Sequence, residues 1–132
     1  MFELEGIDHV ALAVRDVGRS AEWYQRVLGL RRLYQEAWGD YPAVVGIAGT
    51  ALALFPIAGE AVPARPGRDV VRMRHLAFRV DAVNFSKARK DLQDEGIELE
   101  FQDHGISQSI YFRDPDGYQI EITTYDLPGL QK

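Results

Sequence analysis

The chain has no cysteine. That absence excludes disulfides, zinc–thiolate sites and thiol catalysis together, and it suits a reducing cytoplasm, the compartment expected here. Long apolar runs are missing as well. None approaches the roughly 20 residues that span a bilayer, so no membrane association is expected. Met1-Phe2-Glu3-Leu4-Glu5 has neither the basic start nor the apolar stretch of a signal peptide. No basic cluster stands out against a net charge of −5, which argues against nucleic acid as a partner. What is present is ordinary globular material. There are 132 residues with a hydrophobic fraction of 46 %, enough for one domain with a real core.

The most informative organisation is an internal repeat. His9-Val10-Ala11-Leu12-Ala13-Val14 recurs as His75-Leu76-Ala77-Phe78-Arg79-Val80. An aspartate follows each strand-like run, Asp16 and Asp81, and then a helical pattern begins. Val17, Ala21, Tyr24 and Leu28 mark the first helix; Phe85, Ala88 and Leu92 mark the second. Asp16 and Asn84 are the expected N-caps, Gly29 and Gly96 the expected stops.

Three more strand-like runs follow each helix. They are Leu30 to Gln35, Ala43 to Ala48 and Ala51 to Pro56 in the first half. In the second they are Ile97 to Gln102, Ser109 to Arg113 and Tyr118 to Thr124. Asp114-Pro115-Asp116-Gly117 has the chemistry of a type I turn between the last two strands. Gly46 to Gly49 is its weaker counterpart. The expected fold is α+β, one domain over 1–132 made of two βαβββ modules, about 6–57 and 73–125. A proline-punctuated linker, Ala58 to Arg72, joins them.

Strand alternation then sorts the side chains. Val10, Leu12 and Val14 oppose His9, Ala11 and Ala13; Leu76, Phe78 and Val80 oppose His75, Ala77 and Arg79; Ile120 and Ile122 oppose Gln119, Glu121 and Thr123. The bulky apolar faces should pack on the helices. The small or polar faces should line a concave pocket. A lone histidine in a half-buried strand is more often a structural residue than a ligand. Two histidines at one position of a repeat, with Glu121 on the matching face, point instead to a metal site of His9, His75 and Glu121.

These segments resemble the vicinal oxygen chelate superfamily, which includes glyoxalase I, extradiol catechol dioxygenases, fosfomycin-modifying enzymes and bleomycin-binding proteins. The resemblance runs from Ile7 to Tyr125. It is carried by Asp8-His9-Val10-Ala11-Leu12, by the strand of His75, and by the run from Tyr111 through Asp114-Pro115-Asp116-Gly117 to Glu121. It implies a cupped, partly open mixed sheet with helices on the outer face, around a divalent metal held by His9, His75 and Glu121. It also implies a homodimer acting on a small-molecule substrate.

The repeat exposes a gap in that site. Aligning Gly49-Thr50-Ala51-Leu52-Ala53-Leu54 with Gly117-Tyr118-Gln119-Ile120-Glu121-Ile122 places Ala53 opposite Glu121. Glyoxalase I-like enzymes resemble a four-ligand plan with a carboxylate at this position. Here one slot of four holds alanine, which cannot coordinate. Three facial ligands leave about three octahedral positions open, enough for a chelated diol and dioxygen. Fe(II) or Mn(II) is the favoured metal, with Zn(II) or Ni(II) suiting other chemistry.

Asp103-His104-Gly105-Ile106-Ser107, followed by Tyr111, looks like the extradiol dioxygenase segment that supplies a pocket histidine and tyrosine. An imidazole is suited to proton transfer near neutral pH, so His104 and Tyr111 are the expected catalytic pair. Arg79 and Gln119 share the pocket face by parity and are the expected substrate contacts. Trp23, Trp38 and Tyr41 are expected in the core, the rim or an interface, with Tyr34 to Tyr41 over the pocket mouth. The leading expectation is extradiol-type oxidation of a vicinal-oxygen substrate. Lyase, isomerase or thiol-transfer chemistry on the same metal is the alternative, and a non-catalytic drug- or metabolite-binding protein is the third.

Overall fold

The computed structural model describes residues 1–40, 42–57 and 72–129. Tyr41 and all of the expected linker except Arg72 lie outside them. The chain divides into two compact units, Met1–Arg68 and Asp69–Lys132, and each is described by itself.

The first unit runs β1 (Val10–Val14), α1 (Val17–Leu28), β2 (Arg31–Leu33), α2 (Gln35–Trp38), β3 (Ala43–Ile47) and β4 (Thr50–Pro56). Its sheet has the order β1-β4-β3-β2, with β1 parallel to β4 and the other pairs antiparallel. The second unit runs β5 (Leu76–Arg79), α3 (Ala82–Asp94), β6 (Glu100–Asp103), β7 (Gln108–Arg113) and β8 (Gln119–Thr124). Its order is β5-β8-β7-β6, with the same pattern of directions. Both are βαβββ modules with open, mixed sheets, the expected α+β class.

Burial follows the alternation read from the sequence in β1 and β5, whereas β8, central in its sheet, is buried on both faces. Leu12 and Val14 are buried while Ala11 and Ala13 are exposed. Val17, Ala21 and Tyr24 seat α1 on β3 and β4 together with Val45, Leu52 and Leu54. In the second unit Phe85 and Leu92 seat α3 on β8, over Ile110, Ile120 and Ile122. Each buried Val, Leu, Ile or Phe among them contributes about 1.5–3 kcal/mol.

Asp16 caps α1 by accepting from the Arg19 amide at 2.9 Å. The second cap differs from expectation. Asp81 is the N-cap of α3, and it accepts from the Asn84 amide at 2.8 Å and from the Asn84 side-chain amide at 2.9 Å. Asn84 therefore sits one turn in. Its capping chemistry was legible, but Asp81 is the residue in extended conformation, as an N-cap requires. Gly29 and Gly96 end the helices at φ 69° and 77°, the left-handed region that glycine enters without penalty.

Two other departures are local. The run from Leu30 to Gln35 forms only a three-residue strand, because Tyr34 turns to φ 60° and opens the short helix α2. His9 and His75 lie just before β1 and β5 rather than inside them. The ladders begin one residue later, at Val10 opposite Leu52 and at Leu76 opposite Ile120. The turn at Asp114 forms as expected, with the Gly117 amide donating to the Asp114 carbonyl at 3.0 Å. The Asp114 carboxylate also accepts from the Asp116 and Tyr118 amides at 2.9 and 2.8 Å. This turn sets the register in which Tyr111 faces Glu121 across β7 and β8.

Candidate metal centre

The second unit gathers most of the expected site. Glu121, in the middle of β8, is 7 % exposed. Its Oε1 stands 2.9 Å from Nε2 of His75, whose side chain is 36 % exposed. Two donors each about 2.1 Å from one ion, at right angles, stand about 3.0 Å apart. The observed separation is that of a direct N–H···O contact between the two side chains and equals the edge of an octahedral site, and the donor chemistry, one imidazole and one carboxylate, suits a divalent cation. On the other side of Glu121, Oε2 accepts a 2.6 Å hydrogen bond from the Ser109 hydroxyl. Ser109 Oγ also lies 2.9 Å from Thr123 Oγ1.

Tyr111 stands beside this pair. Its ring meets His75 edge to face, with centroids 5.9 Å apart. Its hydroxyl is 3.0 Å from Nε2 of His104, and the two rings are also edge to face. Burial pushes the Tyr111 phenol above the ordinary tyrosine value; the Glu121 charge adds to the rise, and the Ser109 hydroxyl acts against it. The phenol is therefore held as a proton donor.

His104 reaches Tyr111 from an exposed loop because that loop is internally braced. The His104 amide donates to the Ser107 carbonyl at 2.8 Å, and the Gly105 amide donates to the Asp103 carboxylate at 2.8 Å. Asp103 opposite Gln108 closes the β6–β7 hairpin around it.

The remaining expected residues are placed as follows. His9 lies in the first unit, exposed, with Nδ1 2.8 Å from the Asp8 carboxylate. That contact occupies Nδ1. Among the described residues, no three His, Cys, Asp or Glu side chains gather within either unit. Gln119 lines a cavity of about 450 Å³ in the second unit, with Tyr111, Arg113, Glu98 and Glu100. Arg79 is not on that wall; its guanidinium lies over the Tyr125 ring, 4.8 Å from the centroid. In the first unit Tyr34 and Asp8 line a cavity of about 430 Å³, and Trp38 is exposed against Tyr34. Trp23 is half-buried against Tyr24.

Ser109 and Asp8 were not singled out from the sequence. Parity alone could have found Ser109, since 109, 111 and 113 share the face of Glu121.

The second unit is thus a four-stranded sheet with a helix on one face and a His–Glu pair on the other, one of two tandem βαβββ modules. Residues 6–122 match the Glyoxalase/Bleomycin resistance protein/Dioxygenase superfamily, and the chain belongs to it. Catechol-2,3-dioxygenase from Bacillus subtilis strain 168 is 28 % identical over 117 residues, which is 88 % of this chain but 40 % of that protein. Metallothiol transferase FosB from Staphylococcus saprophyticus is 28 % identical over 129 residues, 94 % of this chain and 80 % of that one. A glyoxalase/dioxygenase structure from Nostoc punctiforme is 30 % identical with a TM-score of 0.70, covering 91 % of this chain and 90 % of the other. Among the described residues, no helix is long and apolar enough to cross a membrane.

Proposed function

We propose that the chain is a divalent-metal-dependent enzyme, that His9, His75 and Glu121 hold Fe(II) or Mn(II), and that its reaction is extradiol-type oxidation of a small vicinal diol. The observation that carries this reading is the Tyr111 hydroxyl, 3.0 Å from His104 Nε2 and beside the His75–Glu121 pair. A bound divalent ion supplies Lewis acidity that lowers the pKa of a chelated hydroxyl. The chain's own residues do the rest. His104 Nε2 takes the diol proton through the Tyr111 hydroxyl, which passes its own proton on as it receives the diol's, and the transfer later reverses. Tyr111, kept protonated, donates a hydrogen bond to the substrate oxygen. Gln119 lines the cavity that receives the ring, and Arg79, off that wall and stacked on Tyr125, is the cation proposed to turn to an acidic substituent.

The test is oxygen consumption by the full chain, loaded anaerobically with Fe(II) and given a panel of catechols. Uptake of one O₂ per diol, with a ring-opened product, is expected. No turnover across the panel sinks the reading.

A second reading, thiol transfer or lyase chemistry on the same metal, is favoured by length. The chain spans 40 % of the catechol dioxygenase it matches but 80 % of the metallothiol transferase. Anaerobic activity with Mn(II), Ni(II) or Zn(II), and none with oxygen and catechols, would select it. The proposed assembly is one domain over 1–132, with modules at about 6–57 and 73–125, working as a homodimer. A non-catalytic binding role would win if the protein bound no divalent metal and His75→Ala left ligand affinity unchanged.

A further inference from the structure

We propose that Ser109 is a positioning residue that holds Glu121 as a one-oxygen ligand; this rests on the reading of Glu121 as a metal ligand. The two carboxylate oxygens of Glu121 have different partners. Oε1 faces His75 Nε2 at 2.9 Å, and Oε2 is turned to the Ser109 hydroxyl at 2.6 Å. A carboxylate has only lone pairs, so the serine's one hydrogen goes to it, and a bond this short is charge-assisted. Ser109 is fully buried, so water does not substitute for it. A side-on chelate needs both oxygens turned to the ion. With Oε2 committed to Ser109, Oε1 alone is presented beside His75, and one more coordination position stays available to substrate.

The serine is itself held. Its oxygen lies 2.9 Å from Thr123 Oγ1, and Thr123 Oγ1 lies 3.3 Å from the Gln108 carbonyl. Ser109 and Thr123 are register partners across β7 and β8, two steps along from Tyr111 and Glu121 and on the same face. Extending the β3–β4 register of the first unit by one step places Pro42 and Phe55 at the corresponding positions. The buried hydroxyl pair therefore accompanies the carboxylate, not the fold. A strand interior has no need of two adjacent hydroxyls, whereas a buried carboxylate does.

The experiment is Mn(II) titration of the full chain together with infrared difference spectra, Mn(II)-loaded minus metal-free. Glu121→Ala assigns the Glu121 carboxylate bands. In Ser109→Ala, Mn(II) affinity should fall about ten- to a hundredfold, and the separation of the two carboxylate stretching bands should narrow as Oε2 joins the ion. Ser109→Thr, which keeps the hydroxyl, should return both values toward the original. Thr123→Val should move them in the same direction by less, and it carries the test if Ser109→Ala does not fold. An unchanged band separation in these variants overturns the proposal, even if the thermal midpoint drops. Mn(II) binding lost in Glu121→Ala but intact in Ser109→Ala overturns the role of Ser109 alone. Binding unaffected by Glu121→Ala overturns the metal reading and this proposal with it.

Discussion

The two units are the same fold built from different side chains at one corresponding place. In β4, Ala53 pairs with Ala11 on one side and Val44 on the other. In β8, Glu121 pairs with Ala77 and Tyr111 at the equivalent positions. Both central strands are buried, both helices cover the opposite face, and both turns hold their register. The first unit places alanine and valine where the second places a carboxylate and a phenol. The scaffold thus tolerates either a purely apolar pair or a polar one. The polar version brings its own partners with it: Ser109, itself backed by Thr123, for Glu121, and His104 for Tyr111. A buried carboxylate without those partners would cost several kcal/mol. The second unit therefore carries a partnered polar cluster at the register where the first carries only apolar side chains.

Filling the empty position should give the largest effect. Ala53→Glu places a carboxylate at the register of Glu121. If the four-slot plan describes the centre, that carboxylate takes a position needed by substrate. Catechol-dependent oxygen uptake should then fall by more than about tenfold while Mn(II) still binds. Equal uptake in Ala53→Glu and the parent chain would break the comparison.

Next comes the phenol. Tyr111→Phe makes the second unit resemble the first beside Glu121. Turnover should fall about ten- to a hundredfold, the loss of one or two hydrogen bonds in the reacting complex, with Mn(II) affinity unchanged. The same variant tests the raised pKa. The folded chain holds this proton more tightly than the unfolded one. The stability it contributes is full below about pH 10 and is lost as pH rises through the shifted value. Ultraviolet difference titration should show one late-ionising tyrosine, absent in Tyr111→Phe; an unchanged titration curve would refute that assignment.

The smallest effect concerns the helices, where the units are alike. Asp16→Ala and Asp81→Ala should each cost about 1 kcal/mol in urea unfolding, the ordinary value of an N-cap. A negligible change in either would show that its cap is replaceable.

Much of this was legible in the chain. Repetition of a six-residue run, opening on His9 and again on His75, located the modules. Alternation assigned Leu12, Val14, Ile120 and Ile122 to the core. The alignment of Ala53 with Glu121, made on residues alone, agrees with the observed ladders because strand register leaves no freedom once the flanking turns are set. The missed features have a common cause. Asp81 rather than Asn84 caps α3, Tyr34 ends β2, and the histidines precede their strands; each depends on where backbone hydrogen bonding starts, and propensity does not specify that to one residue.

The sequence by itself determined the class of fold, the two faces of each sheet and the residue types that gather on the polar one. Periodicity and turn chemistry are local properties, and they repeat. Tertiary structure alone decided the contacts: His104 on the Tyr111 hydroxyl, His75 on one oxygen of Glu121, and Ser109 on the other. Those depend on loop curvature and rotamer, which arise only when strands distant in the chain are laid side by side.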